Sequence, residues 1–481
     1  MSRAILTSLE RVRYTHKDDI APKEEELPSW FESAGVLESV RLFLRERTPQ
    51  AYIVGGYLRD QLLGRETRDV DLIVPVNALS LGRQLADHLG GSFVPLDEER
   101  GVARIVLQVE GERYLVDLSQ MHGELKADLG RRDFTINALA MKLFDPETDL
   151  IDPYGGQRDL KERLVRALSQ EAFEDDPLRL LRGVRLAGEL DFRVESDTQG
   201  WMRRYASLII TVSPERLRDE LCKILVLEGS AARLRYLQRT GILTAAIPEL
   251  QERAIEHLLD TLESLESILP VLREWAVFSH LLSHLSQPTA GDRSRLMLLK
   301  LTALLHHLGQ ADKHPPSEAL DTSPLRAVLR RLRFATLEVR LGQRTALGNP
   351  LAWRLTLKTP ASLHLYRFFR DTKEAGIEAL LLSLADRLAT LKGDMSSPEW
   401  QGHLTGTKAI LSRYFGEERE RIFPTTLLTG NDLQRQFHLE PGPLIGQLLE
   451  AVREAQVEGK VRSREEAFKL VEEILRRKRA D

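Results

Sequence analysis

The sequence predicts an α+β protein, with a mixed sheet-and-helix head followed by an all-helical neck, body and tail. Three observations predict it. From about residue 35 to 164, short apolar runs at 53–54, 70–76, 105–109 and 114–118 read as strands interleaved with helices. Beyond residue 164 the strand signal fades, and apolar residues recur at helical spacing, as in 178–190, 214–227 and 231–237. The chain has 481 residues, more than one ordinary core holds, so several domains are expected.

Taken in order, residues 1–30 read as an N-terminal extension, with a charged stretch over 17–26. Residues 31–165 form the head, 166–250 a helical neck, 251–400 a helical body and 401–481 a helical tail. Ser213-Pro214 and Ser323-Pro324 are expected helix starts, with Ser as N-cap and Pro as the first helical residue. Hydrophobic residues make up 42% and charged residues 29%, which suits a globular protein in water. The single cysteine, Cys222, excludes an internal disulfide and favours a reducing, cytoplasmic setting. No apolar run reaches the length of a membrane span, so no membrane partner is expected. Arg3, Glu10, Arg11 and Arg13 argue against a signal peptide. The net charge of −4 means that any nucleic-acid contact must come from local basic patches.

Residues 52–74 read Y-I-V-G-G-Y-L-R-D-Q-L-L-G-R-E-T-R-D-V-D-L-I-V. Side chains alternate across a strand, so Asp69 and Asp71 share one face, while Val70 and Leu72 face the core. Close carboxylates raise each other's pKa unless a cation neutralises them, and an oxygen-only site suits Mg2+ shared with phosphates. A solvated strand end with Arg68 as partner is the plain alternative. Gly55 and Gly56 let backbone approach phosphate closely, and Arg59, one turn further on, is within reach of one.

Strand, Gly-Gly, helix and D-x-D together resemble the first motif of the polymerase-beta-like nucleotidyltransferases. Within them, the stretch resembles the class II (bacterial-type) CCA-adding enzymes and poly(A) polymerases, which extend RNA 3′ ends without a nucleic-acid template. The resemblance implies that Asp69 and Asp71 bind the catalytic metals. It also implies a third acidic residue on a nearby strand, for which Asp117 in Y-L-V-D-L-S is the candidate; the plain reading of Asp117 is a strand-end partner of an arginine.

Residues 131–140, R-R-D-F-T-I-N-A-L-A, are similar to the family's second motif. This implies that Arg132 and Asp133 address triphosphate and ribose, chemistry that guanidinium and carboxylate suit. Thr135 and Asn137 are expected to be local hydrogen-bonding residues. Asp152-Pro153-Tyr154-Gly155-Gly156 resembles the flexible-loop motif, with Asp152 and Arg158 as polar members.

Residues 174–187 read E-D-D-P-L-R-L-L-R-G-V-R-L-A. Pro177 suits the first helical position, with Asp176 as N-cap, and Arg179, Arg182 and Arg185 share one side. The stretch resembles the family's base-selecting motif and carries Asp176 and Arg179 over as base readers, with Arg182 and Arg185 as further nucleotide-side arginines. An acceptor beside a donor matches the amino group and ring nitrogen of both cytosine and adenine, and mismatches uracil and guanine. Residues 213–221 and 241–250 resemble segments that follow this helix in the family.

Residues 301–309, L-T-A-L-L-H-H-L-G, resemble the core of HD-type phosphohydrolases, with His307 in place of the aspartate. His280 and Asp386 are the expected further ligands, with His284 one turn from His280. Loss of the carboxylate argues against a binuclear centre and for a degenerate domain kept as scaffold. Arg326, Arg330, Arg331 and Arg333 form a basic helix suited to solvent or an RNA backbone. In the tail, a Gly430-Asn431-Asp432 turn and Pro441-Gly442-Pro443 precede a helix, as in the region that grips tRNA in relatives.

The resemblance thus implies a template-independent nucleotidyltransferase that adds C and/or A to tRNA 3′ ends from CTP and ATP, with Mg2+ as cofactor and pyrophosphate released. A-addition alone, poly(A) tailing, an HD-type metal phosphohydrolase and a non-catalytic RNA-binding protein are the alternatives.

Overall fold

The computed structural model describes residues 35–145, 149–250, 252–308, 320–357, 359–416 and 419–480. The expected extension 1–30 and Gly309 lie outside them. The chain divides into two compact units. One holds the described residues up to Arg216 together with Leu237–Ala246; the other holds Leu217–Tyr236 and the described residues from Ile247 onward.

The first unit is built on a six-stranded mixed sheet. Its strands are β1 (Tyr52–Val54), β2 (Asp69–Val74), β3 (Ser92–Asp97), β4 (Val102–Val109), β5 (Glu112–Gln120) and β6 (Ala140–Lys142), in the order β3-β4-β5-β2-β1-β6. Only the β2–β5 pair is parallel. All four expected strands are present, and β3 and β6 are additions. Strand β3 carries Pro95 and lies at an edge, where a missing N–H is tolerated. At three residues, β6 is too short to show a period. Glu110 (φ 54°) and Gly111 (φ 81°) join β4 to β5 in a two-residue turn, both in the left-handed region that such hairpins require.

The sheet alternates as the sequence suggests. Val70 and Leu72 are buried, as are Ile53, Ile105 and Leu118 on neighbouring strands. Each such side chain contributes about 1.5–3 kcal/mol when fully buried. The helices of this part include α1 (Gly35–Arg45), α2 (Gly55–Leu62) and α3 (Ala78–Leu89). Asn77 caps α3 by accepting from Ser80 N at 2.8 Å, and Gly90 ends it at φ 67°.

Downstream, strands shrink to two-residue and three-residue ladders, and helices dominate. Helix α4 spans Gly156–Lys161, α5 Arg179–Leu190 and α6 Pro214–Val226. In the second unit α7 spans Glu252–Leu272, α8 Arg295–Leu305, α9 Thr336–Thr356 and α10 Gly376–Thr390. Their interior is mostly leucine, and several buried charges among the described residues are paired. Glu338 binds Arg293 at 2.7 Å, Glu378 binds Arg295 at 2.6 Å and His284 at 2.9 Å, and Lys300 binds Glu266 at 2.8 Å. Cys222 is buried and its thiol is pushed up to about 12 by burial.

Two expected helix starts shift, and one expected turn opens a helix. Helix α5 begins at Arg179 rather than at Pro177, because tighter i→i+3 bonds from Arg179 N to Asp176 O and Leu180 N to Pro177 O precede it. The helix Ser323–Arg331 takes Thr322, not Ser323, as its N-cap. Residues 430–432 open a helix, Gly430–Phe437, instead of forming a free turn; Thr429 and Asp432 close a reciprocal capping box around its first turn.

Candidate active site

Asp69 and Asp71 stand on one face of β2. In the parallel β2–β5 pair, Asp71 registers with Asp117, and Asp117 registers with Arg104 on β4. Three carboxylates and one guanidinium therefore share the face opposite the core. Arg104 binds Asp117 in a two-pronged ion pair, Nε to Oδ1 at 2.8 Å and Nη2 to Oδ2 at 2.7 Å. Asp117 is thus mid-strand, and it is both a neighbour of Asp71 and the partner of an arginine. Arg68 binds Glu112 at 2.7 Å, not Asp69, so the plain alternative loses its arginine partner, while Asp69 is the exposed first residue of β2.

Burial raises the Asp69 and Asp71 carboxyls above their ordinary value of 3.8. Arg104 opposes this at Asp69, Arg132 opposes it at Asp71, and the Asp117 charge adds to it at both. Such a face accumulates negative charge that its own arginines only partly offset.

Helix α2 begins directly after β1. Gly55 sits at φ +70°, and a Cβ there would stand 2.8 Å from Arg132 Nη1 and 3.0 Å from Asp71 Oδ2. Glycine is therefore required twice, for the backbone angle and for the space. Tyr57 N donates to Asp71 Oδ2 at 3.3 Å, which ties the start of the helix to the carboxylate strand. Gly56 lies 3.5 Å, at its Cβ position, from both Asp71 Oδ2 and Arg59 Nη2.

Arg59 departs from its expected outward reach. It is buried, donates from Nη1 to Asn137 Oδ1 at 2.7 Å and binds its neighbour Asp60. Asn137 Nδ2 in turn donates to Asp133 Oδ1 at 2.9 Å, and Phe134 N donates to the same oxygen at 2.8 Å. Arg182 closes the chain on Asp133 Oδ2 at 3.2 Å. Burial alone would raise the Asp133 carboxyl, but the Arg182 and Arg179 charges and these donors hold it below its ordinary value. Arg132 Nε is buried without a hydrogen-bond partner, so this guanidinium has donor capacity left at the site. Thr135 Oγ1 donates to Asp159 at 2.7 Å, and Asp152 accepts from Gly156 N at 2.7 Å and Gln157 N at 2.9 Å, which caps α4.

Helix α5 approaches this network closely because Gly183 has no side chain; a Cβ there would meet Phe134 Cζ at 2.9 Å. Arg179 donates to Arg131 O at 2.7 Å and Ala172 O at 3.2 Å, and Asp176 accepts from Arg216 Nη2 at 2.7 Å. Arg185 turns to Glu189 at 2.6 Å, one helical turn on. The structure therefore joins Asp69, Asp71, Asp117, Gly55, Gly56, Arg132, Asp133, Arg59, Arg179 and Arg182 in one connected set, with Asp176 at its helix end. Two residues that bind members of this set, Arg104 on Asp117 and Arg216 on Asp176, were not singled out from the sequence. Arg104 carried no signal beyond its place in an alternating run. Arg216 lay in the quoted segment 213–221 without a role.

In the helical body, Asp386 joins His306 and His307 as expected, but the third imidazole is His257 on α7. His280 instead stacks on Phe415 with ring centroids 5.6 Å apart, and His284 is taken by Glu378. His257 was missed because it lies 49 residues before His306, in a helix whose leucine pattern reads as plain core.

A mixed sheet with paired carboxylates at mid-sheet, a Gly-Gly helix start beside them and an Arg-Asp network behind defines a nucleotidyltransferase head. Three family models match the chain: the poly A polymerase head domain over residues 51–166, the probable RNA and SrmB-binding site of polymerase A over 191–253, and the putative tRNA nucleotidyltransferase domain 2 over 425–471. A CC-adding tRNA nucleotidyltransferase of Geobacter sulfurreducens is 34% identical over 87% of this chain and 90% of its own. An A-adding tRNA nucleotidyltransferase of Deinococcus radiodurans is 30% identical over 88% of this chain and 95% of its own. Among solved structures, a CCA-adding enzyme with CTP superposes with TM-score 0.67 at 24% identity, covering 93% of this chain and 97% of its own. The Thermotoga maritima CCA-adding enzyme complexed with tRNA gives TM-score 0.64 at 24% identity, over 94% and 99%. The chain belongs to the class II tRNA nucleotidyltransferase and poly(A) polymerase family and is an enzyme of the nucleotidyltransferase class. No helix among the described residues is long and apolar enough to cross a membrane.

Proposed function

We propose that this protein is a cytoplasmic, template-independent enzyme that adds C and/or A to tRNA 3′ ends from CTP and ATP, releasing pyrophosphate. The observation that carries the reading is the register of Asp71 with Asp117, with Asp69 on the same face. Its relatives are named for C addition and for A addition, and the match covers 87% and 89% of this chain for two of the former and 88% for one of the latter. We carry the sequence division forward with it: head 31–165, neck 166–250, body 251–400 and tail 401–481, the tail contacting tRNA.

The carboxylate face fits a magnesium ion. Its donors are all oxygen, and the raised Asp69 and Asp71 carboxyls are those a divalent cation would lower. Asp69 and Asp71, with Asp117, would hold it, and when bound it supplies activation of the 3′-hydroxyl and charge neutralisation at the leaving pyrophosphate. Gly55 and Gly56 leave backbone open to the triphosphate. Arg132, with its spare Nε donor, addresses the phosphates. Asp133, pre-set as a carboxylate by Arg182 and Asn137, accepts from the ribose. Arg59 acts from behind, holding Asn137 against Asp133. Asp176 and Arg179 read the base edge, exchanging Arg216 and the carbonyls of Arg131 and Ala172 for it.

The test offers purified protein three labelled RNAs: tRNA lacking CCA, tRNA ending in CC, and a generic RNA. Each receives CTP, ATP or both with Mg2+. Incorporation into either tRNA supports the reading, and the product defines the activity: two C, a single A, or all three. No incorporation on any RNA defeats it, and long A tracts on the generic RNA replace it with poly(A) tailing.

A further inference from the structure

The carboxylate face of the head sheet runs on past Asp117 toward the β3 edge. Strand register lays it out in rows. Asp71, Asp117 and Arg104 form one row, which Val94 on β3 extends; Asp69, Leu115 and Val106 form the next, which Ser92 extends. Arg113 lies two residues before Leu115 on β5 and so shares this face. The opposite face is closed by α3, where a Cβ at Gly82 would stand 2.9 Å from Ala103 Cβ. The carboxylate face is closed only at the Ile73 end, which is buried. Elsewhere Val94 is 40% exposed, Arg113 is exposed, and Val106 and Leu115 are half-buried.

The two sides of Asp71 offer different chemistry. On the β1 side stand Gly55, Gly56 and Arg132, the groups that take the triphosphate in the proposed function. In-line transfer puts the attacking and leaving oxygens on opposite sides of the α-phosphorus. Pyrophosphate therefore leaves on the β1 side, and the 3′-hydroxyl enters from the β5 side. Its oxygen bonds to the α-phosphorus as the bond to the bridging oxygen breaks; pyrophosphate takes the electron pair and the hydroxyl proton passes to water.

The β5 side suits the end of a single strand. Glu112 is held by Arg68 at 2.7 Å, so among the described residues no carboxylate makes an ion pair with Arg113. Its charge nevertheless reaches Asp69, which places it beside the carboxylates. Val106 and Leu115 give an apolar floor between the two, and Val94 prolongs it across β4. A cationic group beside an apolar platform is the pattern that binds single strands without reading their sequence. The three strand spacings from β2 to β3 span about 14 Å, room for the last few nucleotides of a strand.

We propose that this face, from Asp117 across β4 to β3, seats the single-stranded 3′ end of tRNA, with Val106 and Leu115 under the terminal nucleotide and Arg113 on its phosphate. The inference rests on the nucleotide-addition reading and deepens it by giving the accepting strand its place. Arg113 holds the strand and not the reacting atoms, so it acts on tRNA affinity.

The test uses the full chain and whichever tRNA, lacking CCA or ending in CC, the wild-type protein extends. Initial rates at several salt concentrations give separate KM values for tRNA and for nucleotide. Arg113→Ala should raise the tRNA KM about tenfold and leave the nucleotide KM within about twofold, as the loss of one charged phosphate contact would. The slope of log KM for tRNA against log salt should fall by about 0.7, the share of one single-strand phosphate. Arg113→Lys keeps the charge and should restore most of the affinity. Val94→Glu, at an exposed position, should raise the tRNA KM severalfold by repelling the strand. An unchanged tRNA KM in Arg113→Ala, or a raised one with an unchanged salt slope, overturns the proposal, while addition by the wild-type protein leaves the nucleotide-addition reading standing. A rise in the nucleotide KM instead assigns Arg113 to the triphosphate and also overturns it. No addition by the wild-type protein defeats both.

Discussion

Asp71 on β2 and Asp117 on β5 are register partners in the one parallel pair of the sheet, and Arg104 holds Asp117 from the far side. The face is therefore offset at both ends, by an ion pair at Asp117 and by the Arg132 charge at Asp71. Asp71 meets the start of α2 and Arg132, while Asp117 is neutralised across β4.

Asp71→Asn should reduce nucleotide addition by about a thousandfold or more, the several kcal/mol that a lost metal ligand removes from the transition state. The same variant should be more stable without metal. The Asp71 carboxyl is raised above its ordinary 3.8, so the folded state binds the proton more tightly than the unfolded one. The wild-type protein loses stability as pH rises from about that ordinary value through the folded one, and the variant does not. Thermal melts in chelator from pH 3.5 to 7.5 should show the variant's advantage opening upward from about pH 4.

Arg104→Met should act oppositely on two measurements. Without metal, stability falls by about 1 kcal/mol, the scale of a partly exposed ion pair. The face also becomes more negative, so half-saturating Mg2+ for addition should fall severalfold. An Mg2+ titration of initial rates that shows weaker metal dependence would count against Arg104 as a stand-in cation.

Asp133→Asn should destabilise the head by about 1–3 kcal/mol, since it leaves Arg182 and its buried donors without their acceptor charge. The Asp133 carboxyl is held below its ordinary 3.8, so its contribution is present above that value and is lost as pH falls through the folded one. The variant should therefore match wild type only in strong acid. In steady state its KM for nucleotide should rise, while Asn137→Ala should do the same more weakly.

Asp176→Ala should relax the choice of C and A over U and G by roughly tenfold to a hundredfold, the 1–3 kcal/mol of one mismatched buried polar contact. Arg216→Ala frees Asp176 from its 2.7 Å partner and should alter nucleotide KM without relaxing selection. Competition assays with mixed nucleotides separate the two; unchanged selection in Asp176→Ala would remove that residue from base reading.

The sequence by itself determined the elements and the chemistry carried within them. Alternation in 69–74 placed both aspartates on one face, and Gly55-Gly56 marked where backbone and phosphate meet. The spacing of Arg179, Arg182 and Arg185 set one side of α5. These are properties of neighbours along a chain, and periods of 2 and 3.6 are enough to read them. Tertiary structure alone decided the pairings across it. No local pattern tells that Asp117 registers with Asp71, that Arg104 occupies it, that Arg59 turns inward to Asn137, or that His257 rather than His280 joins His306. Each depends on which strand or helix lies alongside. That is decided by the burial of Leu72, Ile105, Leu118 and the leucines of the body, not by the polar residues these elements bring together.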